Sequence, residues 1–133
     1  MNISGKFDIE LSALDTYAES QDSITIGRMS IDKTFYGELS AKSKGEMLNA
    51  LSPVKGNAGY VAIELVTGSL SGKNGSFALQ HYGTMVNGAQ NLILEVVSGS
   101  GTGELQGLTG KMSIQIENGQ HFYTFDYEFN NQS

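Results

Sequence analysis

The amino-acid sequence predicts an all-β protein, a closed antiparallel β-barrel of about eight strands, and three observations carry that prediction. Apolar and polar residues alternate at a period of two along several stretches, the pattern of half-buried strands. Seventeen glycines accompany a single proline, Pro53, a composition of short strands and tight turns, and no long stretch follows the 3.6-residue period of an amphipathic helix. Seven or eight strands within 133 residues cannot leave two apolar edges exposed, so the sheet is expected to close. Inward aromatics, with glycines where a curved sheet must bend, favour a barrel over a two-sheet sandwich, and the length fits one domain over residues 1–133.

The first strand places Ile3, Phe7, Ile9 and Leu11 on one face and Ser4, Lys6, Asp8 and Glu10 on the other. The polar run from Asp15 to Asp22 is a loop. From Ile24 to Asp32 a second strand shifts its apolar parity between Ile26 and Met29, which a bulge near Gly27 would explain. A turn around Lys33 and Thr34 leads to a strand over Phe35 to Ser43, with Phe35, Leu39 and Ala41 on one side. Glu46 to Leu51 fits a further strand or a helical turn. The loop "SPVKGNAG" precedes a hairpin from Tyr60 to Gly83, and Gln90 to Val97 forms another strand. Ser98 to Gly110 is loop, with one helical turn at Glu104 to Gln106.

Asn118-Gly119 between two strand patterns is a strong hairpin signal. A two-residue turn there opposes Ile116, Ile114 and Met112 to His121, Tyr123 and Phe125, an apolar face that Tyr127 and Phe129 continue. On the reverse face Lys111 meets Asp126 and Ser113 meets Thr124, pairs suited to solvent.

Composition removes several function classes. The chain has no cysteine, so disulfides, thiolate metal sites and a cysteine nucleophile are excluded. Fourteen acidic side chains against eight basic ones, the latter scattered, repel phosphate backbones and argue against nucleic acid. The start "MNISGKFDIELS" lacks the basic and apolar regions of a signal peptide, and no stretch approaches a membrane span, so a soluble cytoplasmic protein without a membrane partner is expected. "GSGTGELQG" lacks the Gly-Lys-Ser/Thr of a phosphate loop. Two histidines, His81 and His121, without ligand spacing give little support for a metal site with a carboxylate such as Glu64, and nothing in the chain calls for a cofactor.

Chemistry concentrates in the Tyr60 to Gly83 hairpin, where Glu64 and His81 stand in otherwise uncharged strands. If Gly72 and Lys73 form the turn, Glu64 lies directly opposite His81; a four-residue loop, Gly72 to Gly75, makes them diagonal neighbours on one face. A turn at Asn74-Gly75 keeps the face but separates them by roughly 13 Å, and a three-residue loop puts Tyr82 opposite Glu64. Together, a carboxylate would orient the imidazole and raise its basicity, the arrangement of a catalytic acid/base pair. Apart, Glu64 faces solvent and His81 is a core histidine. Tyr60, Phe77 and Met85 share the face of Glu64 and His81, while Val61, Ile63 and Leu65 lie opposite. Both faces are apolar, so a partner chain, a second copy of the protein, is expected over the outer one.

Arg28, the only arginine, would bind a ligand carboxylate or pair with Glu64 if turned inward, and is a solvated residue if turned outward. Tyr36, Tyr60 and Tyr123 are candidate hydrogen-bond donors into a cavity, and Phe77 a candidate apolar wall.

"GYVAIELVTGSLSGKNGSFALQHYGTM" and "VVSGSGTGELQGLTGKMSIQIENGQHFYTFDYEF" resemble a family of small bacterial proteins of unknown function whose barrel is like that of plant allene oxide cyclase. The likeness runs from about Lys6 onward and is most specific in Gly75-Ser76-Phe77, Gln80-His81, Gly99 to Leu105 and Tyr123 to Tyr127. Lys73 and Ser98 stand where the family pattern suggests arginine and proline. The resemblance implies an eight-stranded antiparallel barrel and self-association, and no activity. Allene oxide cyclases bind a lipid-derived epoxide within the barrel and steer its cyclisation without a cofactor; their catalytic motif is not matched here position by position, and shared architecture alone does not transfer function.

Three expectations follow. The barrel binds a small apolar or weakly acidic molecule oriented by Glu64, His81 and Arg28; or it is a cofactor-independent isomerase or cyclase using Glu64 and His81; or it is filled with side chains and serves a structural or oligomer-forming role.

Overall fold

Three two-residue turns set the architecture. Ser71–Gly72, Asn87–Gly88 and Asn118–Gly119 each place both central residues at positive φ, between 48° and 85°, the primed-turn geometry whose twist matches that of paired strands. In a computed structural model, which describes residues 1–130, these and longer connections join β1 (Asn2–Leu14), β2 (Thr25–Phe35), β3 (Leu39–Leu51), β4 (Ala58–Leu70), β5 (Lys73–Val86), β6 (Ala89–Val96), β7 (Leu108–Glu117) and β8 (Gln120–Phe129). Every strand pairs antiparallel with its neighbour in sequence and β8 pairs with β1, closing an eight-stranded barrel.

The C-terminal hairpin has the expected register, with Ile116 opposite His121, Met112 opposite Phe125 and Lys111 opposite Asp126. Glu46 to Leu51 continues β3 as strand. Three expectations are corrected. The β4–β5 turn is Ser71–Gly72, one residue earlier than any of the considered turns, because Ser71 itself adopts a left-handed φ of 48°. β2 carries no bulge: its pairing with β3 runs unbroken from Thr25–Leu51 to Phe35–Ala41. Gly27 instead makes room for a neighbour, since a Cβ there would lie 2.6 Å from Asn49 Oδ1. Nor does the chain turn at Lys33, which lies within β2 and is buried.

The two ends of the barrel differ. At one, Phe35, Leu39, Leu70, Phe77, Phe125 and Tyr127 fill the interior. The β6–β7 connection closes that end: its 3-10 turn, Gly103–Leu105, inserts the buried Leu105, and Thr102 donates its backbone N–H to Ser76 O at 2.8 Å. At the other end the inward side chains thin out to Met47, Asn49, Tyr60, Met85, Leu92 and Ile114, which line an open cavity of about 760 Å³. No helix among the described residues is long and apolar enough to cross a membrane.

Candidate functional site

Between the filled end and the cavity lies a layer of buried polar side chains from four successive strands: Lys33 on β2, Ser43 on β3, Glu64 on β4 and His81 on β5. Strand alternation turns all four inward. Lys33 shares the parity of Ile31 and Phe35, Ser43 that of Leu39 and Ala41, and both are buried among those neighbours. The β4–β5 register pairs Ala62 with His81 and Glu64 with Leu79, so Glu64 and His81 are diagonal neighbours on one face, within side-chain reach.

Glu64 is the hub. Its Oε1 accepts from Ser43 Oγ at 2.8 Å, and its Oε2 accepts from Lys33 Nζ at 2.8 Å and from His81 Nε2 at 2.5 Å. Gly45, directly opposite on β3, leaves the space this requires, because a Cβ there would lie 2.7 Å from that of Glu64. The Lys33 ammonium also sits 5.1 Å from the ring of Phe7 and 5.7 Å from that of Phe35, replacing part of its lost hydration with aromatic faces. Among the described residues every buried side-chain nitrogen and oxygen has a hydrogen-bond partner, the condition under which buried charge is tolerable.

Burial pushes the Glu64 carboxyl upward, but the hydrogen bond from His81 and the charge and hydrogen bond of Lys33 outweigh it and hold the group at about 2. An ionised carboxylate only accepts hydrogen bonds, so His81 donates from Nε2. With the imidazole neutral, Nδ1 then accepts from the Tyr60 hydroxyl, 3.1 Å away. Burial, and next the negative charge of Glu64, raise the Tyr60 hydroxyl above its ordinary value. Tyr60 is therefore a phenol at neutral pH. Its ring meets His81 edge to face at 5.9 Å and lies across Gly83, its cross-strand partner, where any Cβ would strike the ring. Tyr60 lines the cavity; Glu64 is 0% and His81 6% exposed. The chain Glu64–His81–Tyr60 thus begins in the sealed interior and ends at the opening.

Of the sequence candidates, Glu64, His81 and Tyr60 come together, and the others do not. Arg28 points outward, donating from Nε to Glu46 at 2.8 Å and from a terminal nitrogen to Asp15 O at 3.1 Å, because even-numbered β2 positions face solvent. Phe77 is stacked on Phe125 in the filled end. Tyr123 is buried there too, and its hydroxyl donates to Tyr36 O at 2.8 Å, spent on the backbone of the β2–β3 turn. Tyr36 itself lies outside, on Asp8. His121 packs against Phe7 and is not among the hydrogen-bond partners of Glu64. Among the described residues no group of three His, Cys, Asp or Glu is arranged to hold a metal, and the Lys33 ammonium takes the cation position beside Glu64.

Lys33, Ser43 and the cavity wall residue Asn49 escaped sequence reasoning. Parity carried the missing signal, since Met29, Ile31 and Phe35 already mark the odd positions of β2 as inward.

The family of proteins of unknown function named DUF3224 matches residues 3–127. The chain belongs to this family. A crystal structure of a DUF3224 protein of unknown function from Shewanella oneidensis MR-1 superposes with a TM-score of 0.95 at 55% identity, covering 98% of each chain. No curated protein matches the chain. DUF3224 membership thus accounts for the barrel and leaves its chemistry to be argued from the side chains.

Proposed function

We propose that this DUF3224 barrel binds a small, largely apolar, uncharged or weakly acidic molecule in its open end. One observation carries the reading: Tyr60, the outer terminus of the buried polar chain, lines a cavity whose other named walls are Met47, Asn49, Met85, Leu92 and Ile114, with no charged side chain among its lining residues. Such a site gains affinity from apolar burial and orientation from a few polar groups. Met47 and Met85 add adaptable, polarisable walls suited to flat ligands.

Naphthol, an apolar weak acid, is a suitable probe. Saturable binding seen by its fluorescence, lost in Met85→Trp with the fold intact by circular dichroism, supports the site. Absence of saturable binding, or binding indifferent to Met85→Trp, overturns it. Native mass spectrometry of protein purified from its own host then identifies any retained natural ligand.

A second reading concerns the outer wall. Leu48, Val61, Tyr82 and Ile93 form one cross-strand row, and with Ile63 and Leu65 they are between 45% and 58% exposed. Six such side chains present on the order of 500 Å² of apolar surface, near the upper end for a monomer. Arg28, Glu46, Gln80 and Glu95 line the same outer groove. A rim carrying both charge signs is self-complementary about a two-fold axis, and apolar patch plus rim approach the roughly 800 Å² per partner of a standard interface. We infer that a second copy covers this face. Light scattering is expected to show a dimer that Ile63→Asp converts to monomer; a wild-type monomer at all concentrations overturns the inference.

A further inference from the structure

We propose that Tyr60, with Asn49, transfers a proton on an enolisable ketone held in the open end, while His81 and Glu64 act behind Tyr60 as positioning residues. The proposal rests on the cavity being the ligand site.

Burial decides which residue touches a ligand. Glu64 and His81 are closed off from solvent, whereas Tyr60 Oη belongs to both the buried chain and the cavity wall. Asn49 is the cross-strand neighbour of Tyr60 and lines the same cavity. Its Nδ2 has a single protein partner, the Met47 sulfur at 3.8 Å, a weak acceptor. Its N–H groups are therefore available to a better acceptor. Gly27 gives the Asn49 amide its place, as Gly83 does for the Tyr60 ring. Two inward polar groups of adjacent strands, each seated over a glycine, thus face one apolar opening.

The chemistry follows from donor and acceptor roles. Asn49 Nδ2 donates to the ketone oxygen. Tyr60 Oη, whose own proton points to His81 Nδ1, presents lone pairs to the α-carbon. The α-proton passes to Tyr60 Oη as the tyrosine proton passes to His81 Nδ1. The C–H bonding electrons become the enolate π-bond, with negative charge on the oxygen that Asn49 holds. His81 is then an imidazolium whose Nε2–H faces the Glu64 carboxylate, and Lys33 keeps that carboxylate ionised. Reversal returns the proton to Tyr60 and from there to the γ-carbon of an unsaturated ketone, moving the double bond into conjugation. Protons and electrons balance without an oxidant, reductant or second substrate.

The test uses the unconjugated isomer of cyclohexenone in heavy water, with naphthol binding as the independent monitor of the site. The wild-type protein is expected to accelerate formation of the conjugated ketone, followed by ultraviolet absorbance, and α-deuteration, followed by NMR. Tyr60→Phe is expected to lower the rate by about 10²-fold or more while naphthol affinity stays within about tenfold. His81→Gln is expected to lower kcat more than it raises KM, a split that a purely structural role would not produce. Naphthol binding without ketone turnover, or turnover indifferent to Tyr60→Phe, overturns the proton-transfer proposal and leaves the binding site standing. Absence of naphthol binding overturns both.

Discussion

Glu64 accepts three side-chain hydrogen bonds, and its acid chemistry sets a stability profile. Its carboxyl lies at about 2 in the folded protein against an ordinary 4.5, so the folded state favours the ionised form. That contribution, roughly 3 kcal/mol, is fully present above the unfolded value and is lost as pH falls from about 4.5 towards about 2. Urea unfolding across this window is expected to show the loss, and Glu64→Gln to flatten it. At neutral pH the same substitution leaves Lys33 without its counter-charge and is expected to cost about 3–5 kcal/mol. Lys33→Met likewise strands the carboxylate. The double variant Lys33→Met with Glu64→Leu removes both charges and is expected to recover much of that loss, a coupling that a double-mutant cycle measures directly.

At the level of the strand pair, β4 and β5 place the site through their turn and one glycine. A turn longer or shorter by a single residue would exchange the inward and outward sets of one strand. The Ser71–Gly72 turn therefore puts Glu64, Ala62 and Tyr60 inside together with His81 and Gly83. Gly83→Ala is expected to displace the Tyr60 ring, since the new methyl group would occupy its position; the Tyr60–His81 hydrogen bond then breaks, read by the His81 ring resonances, at a stability cost of about 1–3 kcal/mol. Gly119→Ala, at φ 76°, is a control at the opposite hairpin, expected to cost about 1 kcal/mol without altering those resonances. The two hairpins also mark what the sequence disclosed. Asn118-Gly119 fixed its register from composition alone, because asparagine and glycine both tolerate left-handed backbone. Ser71 does so only in context, and Gly72 and Gly75 offered competing turns. Glu64 and His81 were legible as odd charges in apolar strands. Lys33 was not, because a lysine is rarely buried without a partner, and its partner lies 31 residues away on another strand.

For the molecule as a whole, alternation and glycine content announced an eight-stranded barrel, but whether it was filled or hollow depended on packing across the interior, which a strand pattern does not encode. It is both, at opposite ends. Phe77 and Tyr123 looked like cavity walls for the same reason that Tyr60 did, inward parity, and differ from it only in height along the axis. Leu105→Ala, in the segment that closes the filled end, is expected to cost about 2–5 kcal/mol, measured by thermal or urea unfolding, while leaving naphthol binding at the far end intact. That closure carries a kinetic consequence. The barrel is a cul-de-sac: a molecule held there as proposed would have to back out through the same doorway, so a fresh guest would wait for the previous one to depart.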